Sequence, residues 1–177
     1  MQARRNAIEL EVTRWSACAP GLDDSPSWHA WANGDKDITG PINTEVRFVE
    51  RLLRRRLSPL NRMAFKVMAE CLNGEKTRPL IVFSSRYGEF SRAFEMLVNL
   101  ARNEPISPKT FSLSVHNTAS SLYQIMQQDN SHSTALSAGE YSLEAGFLEC
   151  WTLLKESADT SILLIYCDEI LPEVFSG

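Results

Sequence analysis

The stretch that decides the fold reads Thr134-Ala-Leu-Ser-Ala-Gly-Glu-Tyr-Ser142. Small residues over 134–138 predict a short strand, and Gly139 predicts the sharp turn that ends it. Residues 161–166 are continuously apolar, as in a strand that is covered on both faces. Between the two strands, apolar residues recur at helical spacing and predict one buried helix face, formed by Leu143, Phe147, Cys150, Trp151 and Leu154.

The alternation of helices and strands extends toward the N-terminus. Ser58 and Pro59 are suited to begin a helix, and Gly74 is suited to end it. Residues 79–83 form a second continuously apolar strand. A helix follows over 90–101, and its apolar residues are predicted to face inward: Phe90, Phe94, Leu97, Val98 and Ala101.

Three further segments complete the predicted architecture. Residues 7–14 alternate between apolar and polar side chains, which predicts a half-exposed strand, and residues 26–32 predict a short helix. Pro105 and Pro108 are predicted to break the preceding helix, and Asn117 to begin the next one. The predicted class is therefore α/β, with α/β/α layers around a mixed, mostly parallel sheet.

The overall composition is that of one ordinary domain. With 177 residues, of which 44% are hydrophobic and 23% charged, the chain is long enough to bury a core. Its net charge of −4 gives no reason to expect nucleic acid or an anionic membrane as a partner. The sequence shows neither a membrane-spanning apolar run nor an export signal, so we expect a soluble, cytoplasmic protein.

Metal and cofactor chemistry finds little support in the sequence. The three histidines lie in separate loops, and no glycine-rich phosphate loop follows a predicted strand. The four cysteines lack metal-type spacing, and we predict that they are reduced thiols of the core: Cys18, Cys71, Cys150 and Cys167. We therefore expect neither a metal nor a cofactor.

The corner after the strand at 134–138 is a place where an enzyme could carry a nucleophile. Backbone N–H groups and the dipole at a helix N-terminus stabilise a thiolate or an oxyanion, so Cys or Ser would stand there. This sequence has Gly139 at the corner and Glu140 after it. Ser137 and Ser142 flank the corner. Either could be a nucleophile, or both are small polar residues that pack at a crowded turn.

Two other motifs allow more than one interpretation. Ser114 and His116 lie two residues apart on an extended segment, so they share a face and could form a hydrolytic pair. Alternatively, His116 bonds to local backbone. Arg54, Arg55 and Arg56 form a basic cluster that could meet a phosphate or the acidic face of a partner protein, or could simply be solvated.

Several segments together resemble the N-terminal half of a β-ketoacyl synthase. In residues 107–121, a Ser-Pro segment leads to an Asn that opens a helix of small residues, as in that family. Residues 134–140 resemble the strand that delivers its nucleophilic Cys, and residues 162–169 resemble the next strand. Residues 15–21 and 168–172 narrow the resemblance to short synthase-like proteins described as chain-length factors.

The resemblance implies a thiolase-like fold, with residues 1–177 as a single N-terminal domain and without the second half that brings two catalytic histidines. It also implies that Gly139 or Glu140 takes the place of the Cys, and neither can form an acyl thioester. We therefore expect a non-catalytic subunit that pairs with a catalytic β-ketoacyl synthase in aryl polyene or related polyketide or fatty-acid-like biosynthesis. The alternative is a small acyl-thioester hydrolase or transferase that uses the serine–histidine pair or Ser137. A third hypothesis is a stand-alone interaction or carrier-docking module, in which the arginine cluster would contact an acidic acyl carrier protein.

The resemblance also implies a surface that faces the synthase, formed by the helix over 117–126 and the strand over 134–138. Large side chains there would shorten the partner's acyl tunnel and small ones would lengthen it, unless they only fill the dimer core. The residues of this surface are Asn117, Ala119, Ser120, Ser121, Leu122, Tyr123, Ile125, Met126, Thr134, Leu136 and Ala138.

Overall fold

The computed structural model of the protein describes residues 8–74, 78–156 and 161–175. Within these ranges the strands are β1 (Leu80–Ser84), β2 (Ser133–Leu136) and β3 (Ile162–Tyr166). The helices are α1 (Ser25–Ala32), α2 (Arg51–Arg54), α3 (Pro59–Leu72), α4 (Phe90–Ala101), α5 (Pro108–Ser112), α6 (Thr118–Gln127) and α7 (Ser142–Glu156). Short 3-10 turns cover Gly139–Tyr141 and Glu173–Phe175.

The three strands form one sheet in the order β2-β1-β3, and both pairings are parallel. Val82 at the centre of the sheet lies opposite Thr134 on one side and Leu164 on the other. The predicted α/β class is therefore confirmed. The described strands are all parallel, in line with the predicted mostly parallel sheet.

The strand predicted at 7–14 is wrong for the residues that the structure describes. Residues 8–14 belong to no strand, and the side chains of Ile8 and Val12 are 50% and 64% exposed. Ala7 lies outside the described residues. An alternating pattern produces a strand when a neighbouring strand offers hydrogen-bond partners, and no described strand pairs with this segment.

Helices cover both faces of the sheet, which gives the predicted α/β/α layers. On one face, α3 and α6 enclose a core that includes Ile81 and Phe83 of β1. Phe65 of α3 and Tyr123 of α6 meet edge to face in this core, with ring centroids 5.2 Å apart. On the other face, α7 packs across all three strands.

The face of α7 that meets the sheet agrees with the predicted apolar stripe only at Cys150. The buried residues of α7 are Ser142, Gly146 and Cys150, spaced four apart. A Cβ atom at Gly146 would lie 2.8 Å from Leu164 Cδ1, so this glycine lets the helix backbone approach the sheet closely. The larger Leu143, predicted to be inside, is 39% exposed because the small residues already occupy the contact.

Helix α4 also differs from the prediction, because none of its residues is buried. Leu97 is 60% exposed, and the N-terminal Phe90 and Phe94 pack against Phe175 instead of the sheet.

The two prolines predicted to break α4 have different roles, since Pro108 begins α5 behind an N-cap at Ser107. The sequence also gave no expectation of the short helix α2, which Glu50 caps.

The boundaries of α3 agree with the prediction at its start. The Ser58 hydroxyl accepts from the N–H of Asn61, and Pro59 occupies the first position. The helix ends at Leu72, and its C-cap, the residue before the expected glycine, is Asn73, whose φ of +44° is left-handed. None of the helices in the described ranges is long and apolar enough to cross a membrane.

Candidate functional site

The corner between β2 and α7, formed by residues 137–141, has the predicted position and a left-handed turn at Gly139. Gly139 has a φ of +61°, a conformation that side-chain-bearing residues rarely adopt. A Cβ atom there would meet nothing within 4 Å. Nucleophiles at strand–helix turns stand in such strained, open positions. The corner therefore keeps a geometry that suits a nucleophile, but Gly139 has no side chain and Glu140 after it is exposed.

Ser142 closes the corner and is unsuited to act as a nucleophile. Its side chain is fully buried, and its hydroxyl donates to the Gly139 carbonyl at 2.7 Å. The same oxygen accepts from the N–H of Ala138 at 3.0 Å. A buried hydroxyl that already serves one donor and one acceptor has a structural role, which favours the packing interpretation of this serine.

The serine–histidine pair is not assembled. The Ser114 hydroxyl donates to the Phe111 carbonyl at 2.9 Å. His116 Nε2 lies 2.8 Å from the Leu136 carbonyl, and since a carbonyl only accepts, this nitrogen carries the proton. The Ser137 hydroxyl donates to the Arg86 carbonyl at 3.1 Å. Within the described ranges, no hydrogen bond joins either serine to His116, so the geometry does not favour hydrolysis.

A second turn lies at the same carboxyl end of the sheet, in the loop between β1 and α4 (residues 85–89). The Asp168 carboxylate accepts from the Ser85 hydroxyl at 2.7 Å and from the N–H groups of Tyr87 at 3.0 Å and Arg86 at 3.1 Å. The Gly88 N–H donates to the Ser85 hydroxyl oxygen at 2.7 Å. Sequence reasoning missed this arrangement, although Asp168 lies two residues after the end of an apolar strand.

The last residue of this loop, Glu89, is a buried carboxylate. It accepts from the Ser58 hydroxyl at 2.6 Å and forms an ion pair with Arg92 at 2.8 Å. Burial raises the pKa of Glu89, although the contacts with Ser58 and Arg92 act in the opposite direction. Arg92 also donates to the Arg56 carbonyl, so this carboxylate ties α4 to the N-terminus of α3.

The predicted synthase-facing surface divides into an inner and an outer set. The inner set is buried in the chain's own core: Ala119, Ser120, Leu122 and Tyr123. Met126 packs partly against the same core, and Thr134 and Leu136 are half-buried. The outer set on α6 is spaced four residues apart and reaches solvent, with Ile125 68% exposed, and consists of Asn117, Ser121 and Ile125. Ala138, at the end of β2, is also exposed.

The three predicted arginines do not share one environment. Arg54 is half-buried, and its carbonyl accepts from Arg62. Arg55 and Arg56 are exposed and line a cleft of about 660 Å³ together with Leu52, Pro108, Lys109, Ser112 and Leu113. In the described part of the chain, no carboxylate pairs with the Arg55, Arg56 or Lys109 side chains.

The cysteines are free thiols, as predicted, and their burial differs. Cys150 and Cys167 are buried, and Cys18 and Cys71 are half-buried. Burial raises the pKa of the Cys150 thiol to about 11 and raises that of Cys167 further. Among the residues at 8–74, 78–156 and 161–175, no group of three metal-ligating side chains could hold an ion.

Comparison with known proteins identifies the family. The family model of the β-ketoacyl synthase N-terminal domain matches residues 28–177. The fold is similar to that of a chain in the structure of a ketosynthase (ApeO) in complex with its chain length factor (ApeC) from Xenorhabdus doucetiae, with a TM-score of 0.83. The two sequences are 31% identical over 93% of this chain and 69% of the matched chain. No curated protein sequence matches significantly. With the family model matching most of the sequence, the chain belongs to the β-ketoacyl synthase N-terminal domain family, and its fold is thiolase-like.

Proposed function

We propose that the chain is a non-catalytic, chain-length-factor-like subunit that pairs with a catalytic β-ketoacyl synthase and helps shape its acyl tunnel. The observation that carries this proposal is the corner, which has an open, left-handed turn at Gly139 but no thiol there. Its similarity to a chain from a ketosynthase–chain length factor complex supports the pairing. The resemblance of its sequence motifs supports a role in aryl polyene or related polyketide or fatty-acid-like biosynthesis.

The open edge of β2 supports a partner on this side of the molecule. Strand β2 pairs with β1 on one side, and no strand in the described residues pairs with the other. The Leu136 carbonyl points toward β1, where it accepts from the Ser85 N–H. Because directions alternate along a strand, the backbone groups of Ser133 and Ala135 point to the open edge. An exposed edge of this kind is a template for pairing with another chain.

The exposed stripe on α6 supports a steric role beside that edge. Asn117 and Ser121 are hydrogen-bonded to each other at 3.1 Å and leave little bulk on the surface. Ile125, one turn further, is the large apolar side chain of the stripe. Against the partner's tunnel, its bulk would set how many two-carbon additions fit before elongation stops. Tyr123 and Leu122 would contribute less, since they face this chain's own core.

Product length in a reconstituted pair tests the steric role. Ile125→Ala is expected to lengthen the acyl products by one or more two-carbon units, and Ile125→Trp to shorten them. The control is Gln127→Ala, which changes an exposed residue of α6 outside the stripe. Mass spectrometry of the released products gives the distribution. The same distribution for both Ile125 variants and the control would contradict the tunnel role.

The cationic cleft supports a second contact, with an acyl carrier protein. Arg55, Arg56 and Lys109 concentrate unpaired positive charge in a chain whose net charge is −4, which suits an acidic partner. Arg54, which is half-buried, would add little. Replacing Arg55 and Lys109 by Glu is expected to weaken salt-dependent binding of the carrier about tenfold or more. The control is Arg47→Glu, which changes an exposed arginine outside the cleft and should leave binding unchanged. Unchanged carrier affinity in the double variant would contradict this contact.

The alternative function, an acyl-thioester hydrolase, has a direct test. The purified chain alone is incubated with acyl thioesters, and the release of free thiol is followed. We expect no turnover above the uncatalysed rate, because the serine–histidine pair is not assembled. Turnover that His116→Ala abolishes would favour the enzyme over the subunit.

A further inference from the structure

We infer that Asp168 is a positioning residue that fixes the vacant corner from the neighbouring strand, by holding the loop at 85–89. Its carboxylate does not touch the corner, so it acts through the loop. The consequence for partner binding rests on the proposed function, whereas the coupling between Asp168 and the corner does not.

The first step joins Asp168 to the loop. Asp168 is itself held by the sheet, because the N–H of the preceding residue, Cys167, donates to the Ser84 carbonyl at 3.2 Å. Three donors of the loop converge on its two carboxylate oxygens, namely the Ser85 hydroxyl and the N–H groups of Arg86 and Tyr87. Successive N–H groups that point to one place form an anion-binding nest, and here the anion belongs to the chain.

The second step joins the loop to the end of β2. The Ser85 N–H donates to the Leu136 carbonyl at 3.2 Å, and the Arg86 carbonyl accepts from the Ser137 hydroxyl at 3.1 Å. Gly88 abuts the ring of His116, which donates to the same Leu136 carbonyl. A Cβ atom at Gly88 would lie 2.6 Å from His116 Nδ1, so the loop packs against the ring with no room for a side chain. The loop therefore contacts Leu136, the last residue of β2, and Ser137, the first residue of the corner, at three points.

A carboxylate suits this position because the three groups of the loop that bond Asp168 all donate to it. Asparagine has nearly the same volume but offers one oxygen and one NH₂ group. In Asp168→Asn the Ser85 hydroxyl and the Tyr87 N–H can still share the oxygen, whereas the NH₂ group would face the Arg86 N–H, donor against donor. Arg86 is the residue that holds Ser137. The substitution therefore loosens Arg86, whose carbonyl holds the Ser137 hydroxyl of the corner. It leaves no cavity, because the two side chains have nearly the same volume.

Hydrogen exchange at the corner tests the coupling. The reporting amides are Ala138, bonded to the Ser142 hydroxyl at 3.0 Å, and Tyr141, bonded to the Ala138 carbonyl at 3.2 Å. Asp168→Asn is expected to speed exchange at both by about tenfold, since an unsatisfied polar contact replaces a charge-assisted one, while amides in the middle of α3 keep their protection. Glu169→Gln is the control, because that carboxylate accepts from the Ser91 N–H at 3.3 Å, away from the corner.

A double-mutant comparison separates positioning from general destabilisation. If the coupling runs through the Ser137 contact, Ser137→Ala and Asp168→Asn together speed exchange at Ala138 and Tyr141 no more than the stronger single variant does. Unchanged exchange at these amides in Asp168→Asn would overturn the proposal, and so would equal acceleration throughout α3. Weaker synthase binding by Asp168→Asn would extend the coupling to the partner. Altered exchange with unchanged binding would keep the coupling and contradict the placement of the partner at β2.

Discussion

Two strand–helix turns lie side by side at the carboxyl end of the sheet, and they differ in the free space around their glycines. Gly88 in the β1–α4 loop and Gly139 at the β2–α7 corner both have a left-handed φ, of +56° and +61°. Around Gly88 there is no free space, since a Cβ atom would press on His116 at 2.6 Å. Around Gly139 a Cβ atom would meet nothing within 4 Å.

The difference shows what each turn does. In the crowded turn, the chain's own Asp168 satisfies the backbone donors, so this turn is a structural joint. In the open turn, no side chain projects from Gly139, and the buried Ser142 closes the backbone behind it. The open turn is thus an accessible left-handed position that carries no nucleophilic side chain at Gly139. A role at the surface of a partner is consistent with that combination.

Of the experiments that compare the two turns, chemical labelling of a thiol at the corner has the largest expected effect. A thiol introduced as Gly139→Cys would stand exposed at the N-terminus of α7, where thiolates are stabilised. Buried Cys150 has a pKa raised to about 11 and remains protonated at neutral pH. Iodoacetamide at about pH 8 should therefore label the new thiol at least about a hundredfold faster than Cys150. Peptide mass spectrometry measures both rates in one sample, and equal rates would show that the corner is closed.

Paired alanine substitutions would test the two turns by stability. Gly139→Ala meets open space and bears only the left-handed backbone strain, about 1–2 kcal/mol. Gly88→Ala bears the same strain and also forces the His116 ring aside, a further cost of about 1–3 kcal/mol. The free energy of unfolding from urea titrations should therefore fall more for Gly88→Ala. A larger loss for Gly139→Ala would reverse our description of which turn is crowded.

The smallest effect concerns pH and the buried Glu89 of the crowded turn. Because burial raises its pKa, the folded chain binds a proton on Glu89 more readily than the unfolded chain does. Above the raised pKa the buried charge weakens the fold by a constant amount, and this penalty disappears as the pH falls toward the ordinary glutamate value. Glu89→Gln should remove that part of the pH dependence of unfolding, while Glu95→Gln, on the exposed side of α4, should not. Parallel pH curves for wild type and Glu89→Gln would contradict the assignment.

Local signals made much of the fold predictable. The cap at Ser58, the apolar strand at 79–83 and the corner at Gly139 are each specified by neighbouring residues. The predicted strand at 7–14 failed because pairing depends on a distant neighbour that a pattern cannot show. Leu143 was misplaced because a stripe of small residues, which carries little hydrophobic signal, makes the contact of α7 with the sheet.

The candidate site was predictable in position and less so in detail. Gly139 and Glu140 were found because the corner combines strand, glycine and helix in sequence order. The Asp168 contacts were missed because they join residues more than 80 positions apart. Tyr123 was expected to face a partner, but it packs on Phe65, and the sequence alone does not say which face of α6 meets α3.

Native mass spectrometry after co-expression with a catalytic β-ketoacyl synthase tests the central claim most directly. The account predicts a stable complex whose mass contains both chains, and whose assembly is weakened by Ala135→Pro, which places a proline at the open edge of β2. Gln127→Ala is the control, because it changes an exposed residue of α6 outside the stripe and leaves that edge intact. A chain that remains separate from every synthase with which it is co-expressed would contradict the account.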